Sequence, residues 1–319
     1  MERRDFLFGG AAAFVALGSG AGAYARARQG FFQRIGRPIG LQLYTLSGSG
    51  GLKDIDGVFA QIAEAGYREL ELPGLLGRKP AELRASADKA GLRFTSIHLL
   101  PPGMVPPTSF SISSEPQLVA DMLGTLGAVA AVIPIMPLPP GSRPEKGEGF
   151  TAMLSRIMTQ AGPDPWERMA DDFNRIGSGL RPFGITLGYH NHNVEFTPVG
   201  KTTGWEILVE KTDPRFVSFE VDLGWVTAAG LDPADFLRKH KGRVRWVHVK
   251  DVMASTKPNF AFKMDPANVG AGSIRWAEVL RAAEAAGVAH YYVEQEPPFP
   301  GERMDSVRAA FSFLSQLKA

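Results

Sequence analysis

From residue 39 onward one unit recurs along the chain: a short β-rich run ending in a polar residue or a Pro/Gly turn, then an amphipathic stretch. The strand candidates are residues 39–46, 67–72, 92–99, 131–136, 184–192, 217–223, 244–252 and 290–296. Between them, stretches such as LKDIDGVFAQIAEAG place apolar residues at three- and four-residue spacing and close on a glycine, Gly66, which reads as a helix C-cap. Residues 148–180 are long enough for two helices, split near Gly162–Pro165. Eight strand-then-helix units predict an α/β fold of one particular kind, a single (β/α)8 TIM barrel over residues 36–319. An open doubly wound sheet competes, but it carries a GxGxxG turn after its first strand, and Leu46-Ser-Gly-Ser-Gly-Gly51 lacks that spacing.

The chain has 319 residues, 44% of them hydrophobic and 21% charged, which is ample for a packed core in a water-exposed protein. The net charge of +2 is spread without a basic stripe, which excludes a phosphate-backbone partner, so no nucleic acid is expected. Cysteine is absent, which removes disulfides, thiolate metal sites and a cysteine nucleophile. The first residues, MERRDFLFGGAAAFVALGSGAGAYARA, pair Arg3-Arg4 with a short, weakly apolar run and then small residues. This pattern resembles a twin-arginine export signal over residues 1–27, cut after Ala23 or Ala27. The run is too short and too rich in Gly and Ala for a comfortable membrane span, so the expectation is a periplasmic protein without a stable span after signal removal. Composition is silent on oligomeric state.

Barrel strands point alternate residues inward, so residues i and i+2 share a face. Read in that register, the strands offer Gln42/Tyr44, Glu69/Glu71, Ser96/His98, His190/His192, Glu220/Asp222, His248/Lys250 and Glu294/Glu296. Charged groups are rarely buried unless paired or bound to metal, and the C-terminal end of barrel strands is the catalytic end. His190 or His192, with Asp222, His248 and Glu294, makes a mixed nitrogen and oxygen donor set from consecutive strands. Such a set suits a divalent ion of intermediate softness, with Mn²⁺ favoured and Co²⁺, Zn²⁺ or Mg²⁺ as alternatives.

The same stretches carry a resemblance. YHNHNVEF, the Asp222-Leu-Gly-Trp225 turn, VHVKD, YYVEQE, GYRELEL and VGAGSIRW are similar to motifs of the xylose isomerase-like TIM-barrel superfamily, the group of sugar phosphate isomerases/epimerases that also holds inosose dehydratases and apurinic endonucleases. The resemblance implies metal ligands at the ends of strands 5 to 8, which fall on His190, Asp222, His248 and Glu294. Two departures stand out. The ketose epimerases of the group carry a glutamate on strand 5 where this chain has His190, and the three-zinc endonucleases need more His and Glu ligands than are present.

The expected activity is isomerisation or epimerisation of an unphosphorylated sugar or sugar derivative by proton abstraction next to a carbonyl. The alternative is a lyase or dehydratase of a keto-sugar or keto-glycoside, and a non-catalytic carbohydrate-binding barrel comes third. Glu294 or Glu296 is the expected base, with Lys250 and His192 as acid or oxyanion partner. Glu71, His98 and Glu296 are expected against substrate hydroxyls, and Tyr44 and Trp225 against the sugar ring, with core packing the alternative for both and of equal weight for Trp225. Export favours an unphosphorylated carbohydrate as the small-molecule partner, because sugar phosphates are largely cytoplasmic. N-terminal sequencing of periplasmic protein should give a chain beginning at Tyr24 or Arg28; a chain starting at Met1 in the cytoplasm removes the export reading.

Overall fold

The computed structural model describes residues 29–48, 52–102, 104, 110–139, 141–160 and 162–319, so the export signal expected over residues 1–27 lies outside the described residues. Eight parallel strands close a barrel: β1 (Gly40–Gln42), β2 (Glu69–Leu72), β3 (Arg93–His98), β4 (Ala130–Ile133), β5 (Thr186–His190), β6 (Val217–Asp222), β7 (Val244–Val249) and β8 (His290–Val293). Each strand pairs with its chain neighbours and β1 pairs with both β2 and β8, so the order is that of a single (β/α)8 TIM barrel. The helix expected to end at Gly66 spans Ile55–Ala65, and Gly66 takes φ 111°, which a side chain would resist. The long segment before β5 divides into Phe150–Gln160 and Asp164–Leu180, with Pro163 at the N-cap of the second. A short helix, Phe31–Ile35, precedes β1, and its Phe31 and Phe32 rings pack on Tyr291. Among the described residues, no helix is long and apolar enough to cross a membrane.

Strand length departs from the sequence expectation at the ends. β1 stops at Gln42, and Tyr44 opens a helical turn, Tyr44–Ser47, instead of continuing in register. The cause is local: Gln42 folds its side-chain oxygen back to accept the Tyr44 N–H at 3.0 Å. Lys250, Glu294 and Glu296 likewise follow the last paired residues of their strands and stand at the rim.

The barrel interior is layered. At the N-terminal end Glu69 accepts from Arg93 at 2.7 Å and faces the His290 ring nitrogen at 2.9 Å. Glu69 and Glu71 therefore do not serve the same end: one repeat along the strand puts Glu69 in the floor network and Glu71 in the mouth. Above that floor Trp246 and Tyr292 fill the centre beside Ala130. Their bulk is matched by missing bulk across the barrel. A Cβ on Gly188 would lie 2.8 Å from Val132 and 3.2 Å from Trp246, and one on Gly40 would lie 2.6 Å from the Tyr292 ring. Alternating large and absent side chains lets two aromatic rings close the bore at interior packing density. Gly188→Val should destabilise the barrel by about 1–3 kcal/mol through overpacking; chemical denaturation that finds no loss would show that the rings have room to spare.

Candidate metal and catalytic centre

The layer above Trp246 and Tyr292 is polar and buried. Glu71, Glu220, Asp222 and His248 are fully buried, and His190, Lys250 and Glu294 nearly so. Carboxylates in such a place need donors on every side. Glu71 accepts from Gln42 Nε2 at 2.8 Å and from the Ser96 hydroxyl, and it faces His248 Nε2 at 2.7 Å and His98 Nε2 at 3.1 Å. Glu220 Oε2 faces three imidazoles, those of His98, His190 and His248, each at 3.1 Å. An ionised carboxylate only accepts, so each ring nitrogen turned towards one carries a proton.

That rule fixes the histidines. His190 Nδ1 donates to Glu220, which leaves Nε2 as a lone pair 4.0 Å from Asp222 Oδ2. His248 turns Nε2 to Glu71 and Nδ1 to Glu294 Oε2 at 2.8 Å, so both ring nitrogens face a carboxylate and the pair of acids favours the imidazolium. The charges follow the same geometry. Burial alone would neutralise His98, but Glu71 and Glu220 push it up to about 9. His248 is also raised, against burial, by Glu220 and Glu294. His190 is held well below its ordinary value by burial and by the His248 charge, so it is neutral. Burial and the positive charge of Lys250 bring His192 down to about 3. Burial opposes ionisation of Glu294, yet Lys250 and His248 hold it below the ordinary carboxylate range. Burial raises Asp222 to about 6, with Lys250 pulling the other way.

The residues fit a divalent ion. Asp222 divides its carboxylate: Oδ1 caps the short helix Leu223–Ala228 by accepting from Trp225 N at 2.9 Å, while Oδ2 faces the cluster and Lys250 Nζ. Ligating atoms of Asp222, His248 and Glu294 lie within 4.8 Å of one another, and the free His190 Nε2 adjoins them. Glu220 and Glu71 stand behind the two imidazoles and would fix their tautomers, the usual arrangement around a metal-bound histidine. A second compact grouping, His98, His190, Glu220 and His248, has its ring protons already turned to Glu220. A tethered cation, Lys250, adjoins the first group. Lys250 Nζ lies 2.8 Å from Asp222, 2.9 Å from Glu294 and 2.7 Å from Glu296.

The other expected site residues separate into two sets. Tyr44, His98, His192, Lys250, Glu294 and Glu296 line one cavity of about 810 Å³ at the barrel mouth. Glu71 and Trp225 do not. Glu71 is sealed behind His98 and His248, so it orients imidazoles and is not placed to touch substrate hydroxyls. Trp225 is buried, with the His192 ring 5.4 Å from its own and Lys250 5.4 Å above it, so it backs those two side chains and is not placed to stack on a sugar. Sequence reasoning placed Glu220 beside Asp222 without giving it a role. It also missed Glu195, which accepts from Tyr189 Oη at 2.7 Å and the His192 N–H at 2.9 Å and so anchors the loop bearing His192. The signal for Glu195 was present as a lone charge inside the run NVEF.

A closed parallel barrel whose C-terminal mouth holds buried imidazoles and carboxylates is an enzyme scaffold with a donor set that could hold a divalent ion. The chain belongs to the xylose isomerase-like TIM-barrel family, whose pattern it matches over residues 59–317. Inosose dehydratase of Geobacillus thermodenitrificans is 26% identical over 278 residues, covering 82% of this chain and 89% of that protein. A sugar phosphate isomerase/epimerase from Parabacteroides distasonis superposes with TM-score 0.65 at 24% identity, over 88% of this chain and 94% of the other. The 3-keto-D-glucoside 4-epimerase of E. coli superposes with TM-score 0.58 at 15% identity, over 87% and 98%.

Lys250 and a divalent ion draw on the same carboxylate oxygens. Lys250→Met should therefore tighten Mn²⁺ binding by about tenfold or more, as expected for removing a competing buried charge, whereas Asp222→Ala should abolish most of it. Calorimetric titration reads both; unchanged Mn²⁺ affinity in Lys250→Met would rule out the competition.

Proposed function

We propose that this protein is a divalent-metal-dependent enzyme that draws a proton from the carbon next to a carbonyl of an unphosphorylated sugar or sugar derivative, and that the resulting enolate expels a β-substituent. His190, Asp222, His248 and Glu294 would hold the ion, with Mn²⁺ favoured by the two-imidazole, two-carboxylate set. When bound, the ion supplies Lewis-acid stabilisation of the negative charge that develops on the carbonyl oxygen.

The observation that carries the reading is the unlike pair at the cavity, a neutral imidazole and an ammonium. His192 is neutral, its Nδ1 is buried without a hydrogen-bond partner, and its ring packs on Trp225 and Phe262. It is ready to accept a proton without first losing one, and negative charge developing on the substrate raises its basicity as the proton arrives. Lys250 stays charged, because Asp222, Glu294 and Glu296 outweigh burial, and it can protonate a departing oxygen. Glu294, expected as the base from sequence, faces His248 Nδ1 at 2.8 Å and Lys250 at 2.9 Å beside Asp222, and that place among the donor atoms suits it to the ion. One base and one acid suit elimination, whereas epimerisation by two opposed carboxylates lacks its strand-5 member, because His190 stands there. The inosose dehydratase relatives support the same direction. Isomerisation or epimerisation, placed first on sequence grounds, uses the same enolate and is the second reading.

Two features support an unphosphorylated substrate. Among the described residues lining the cavity, Lys250 is the one Lys or Arg, and three carboxylates already engage it, which leaves no Lys or Arg there free for a phosphate. The twin-arginine pattern in residues 1–27 supports a periplasmic enzyme, where such substrates are met.

Mass analysis of products from Mn²⁺-loaded enzyme with keto-sugars and keto-glycosides decides the reaction. Elimination releases water or an aglycone, and His192→Gln should lower its kcat by about 10²–10⁴ with metal content unchanged. Products of unchanged mass would establish isomerisation instead. Full turnover by metal-stripped protein would leave the proposal without support.

A further inference from the structure

We propose that the substrate bears an apolar substituent of roughly aryl size, and that the β2–β4 side of the mouth is the subsite for it. The inference rests on reading the polar, charged half of the mouth as the sugar-transforming centre. The cavity, at about 810 Å³, is in the range that takes a drug-sized molecule. Its lining is divided. The reacting half is built from His98, His190, His192, Lys250, Glu294 and Glu296, and all of them carry polar groups. The loops after β2, β3 and β4, adjacent in the barrel and facing β6–β8 across it, contribute Pro73, Leu76, Leu100, Pro134 and Ile135. None of those five side chains has a polar atom, and each is half-buried at the rim.

A pocket for a bare polyol needs donors and acceptors on every wall, since a hydroxyl pressed on hydrocarbon loses its water without replacement. Here, among the described residues, the side chains that the β2–β4 loops turn to the cavity beyond His98 carry no hydrogen-bonding group. Leu76 adds an independent mark of function. It sits at φ 52°, in the left-handed region, between Gly74 and Gly77. Glycine would occupy that backbone position at little cost, whereas a leucine there is strained. Strain of this kind persists where the surroundings impose it, often at ligand clamps. The chain keeps a strained leucine directly before Gly77, and the result is a branched apolar side chain in the cavity wall. A glycoside fits both halves at once: its sugar ring at the charged centre, its apolar aglycone against Leu76, Leu100 and Ile135.

The test uses binding, so that it does not depend on turnover. Phenyl β-D-glucoside and methyl β-D-glucoside, neither of which carries a keto group, are titrated into Mn²⁺-loaded wild-type protein by calorimetry. The phenyl compound should bind about tenfold tighter or more, the effect of burying one ring on hydrocarbon. Ile135→Asn should erase that preference. Leu76→Gly relieves the backbone, so it should erase the preference while leaving the melting temperature the same or higher. Equal binding of the two glucosides, no binding of either, or a preference that survives in both variants overturns the subsite. A phenyl preference in a protein that transforms no keto-sugar would instead leave the subsite standing and remove the proposed reaction.

Discussion

An anionic oxygen sealed from water must be surrounded by donors, and in this barrel that requirement organises the whole mouth. Glu220 Oε2 draws in the imidazoles of His98, His190 and His248, which come from three different strands, and Glu71 draws in His98 and His248 from the other side. Two carboxylates thereby set the ring orientation of three histidines, and through orientation their protonation. His190 is left with a lone pair, His248 with a replaceable proton, and His98 with a charge that holds the two acids together. Removing either acid would strip one anion from the buried His98 and His248 charges, and removing Glu220 would also leave His190 Nδ1 without its acceptor, a costlier outcome than losing one neutral hydrogen bond.

This network stands on a hydrocarbon floor. Trp246 and Tyr292 close the bore because Gly40, Ala130 and Gly188 leave space for them. Tyr292 also joins the two layers: its hydroxyl lies 2.7 Å from Thr95 Oγ1 and 3.1 Å from Ser96 Oγ, and Ser96 donates to Glu71. Packing of the floor and placement of the charged layer are thus one problem. A side chain added below would be felt above through Tyr292.

The barrel was legible because strand and helix periods alternate without interruption, and the convergence of His190, Asp222, His248 and Glu294 followed from inward alternation on neighbouring strands. What the pattern could not convey was depth. Glu69 and Glu71 share a face, yet one belongs to the floor and the other to the mouth, since alternation fixes direction and says nothing of height in the bore. For the same reason Glu71 and Trp225 looked like substrate contacts and proved to stand behind the residues that reach the cavity. The apolar wall was hidden for another reason. Pro73, Leu76, Leu100, Pro134 and Ile135 lie in loops, where no period marks which side chains turn inward.

The split duty of Asp222 couples the mouth to the helix behind it. With Oδ1 committed to Trp225 N, the carboxylate cannot rotate to present both oxygens without uncapping its helix. The same Trp225 carries the His192 ring and Lys250 on its indole. A substitution that shifts Leu223–Ala228 would therefore move an acid, a base and an ammonium of the mouth together, so this short helix is a place where distant changes can retune the site without touching it.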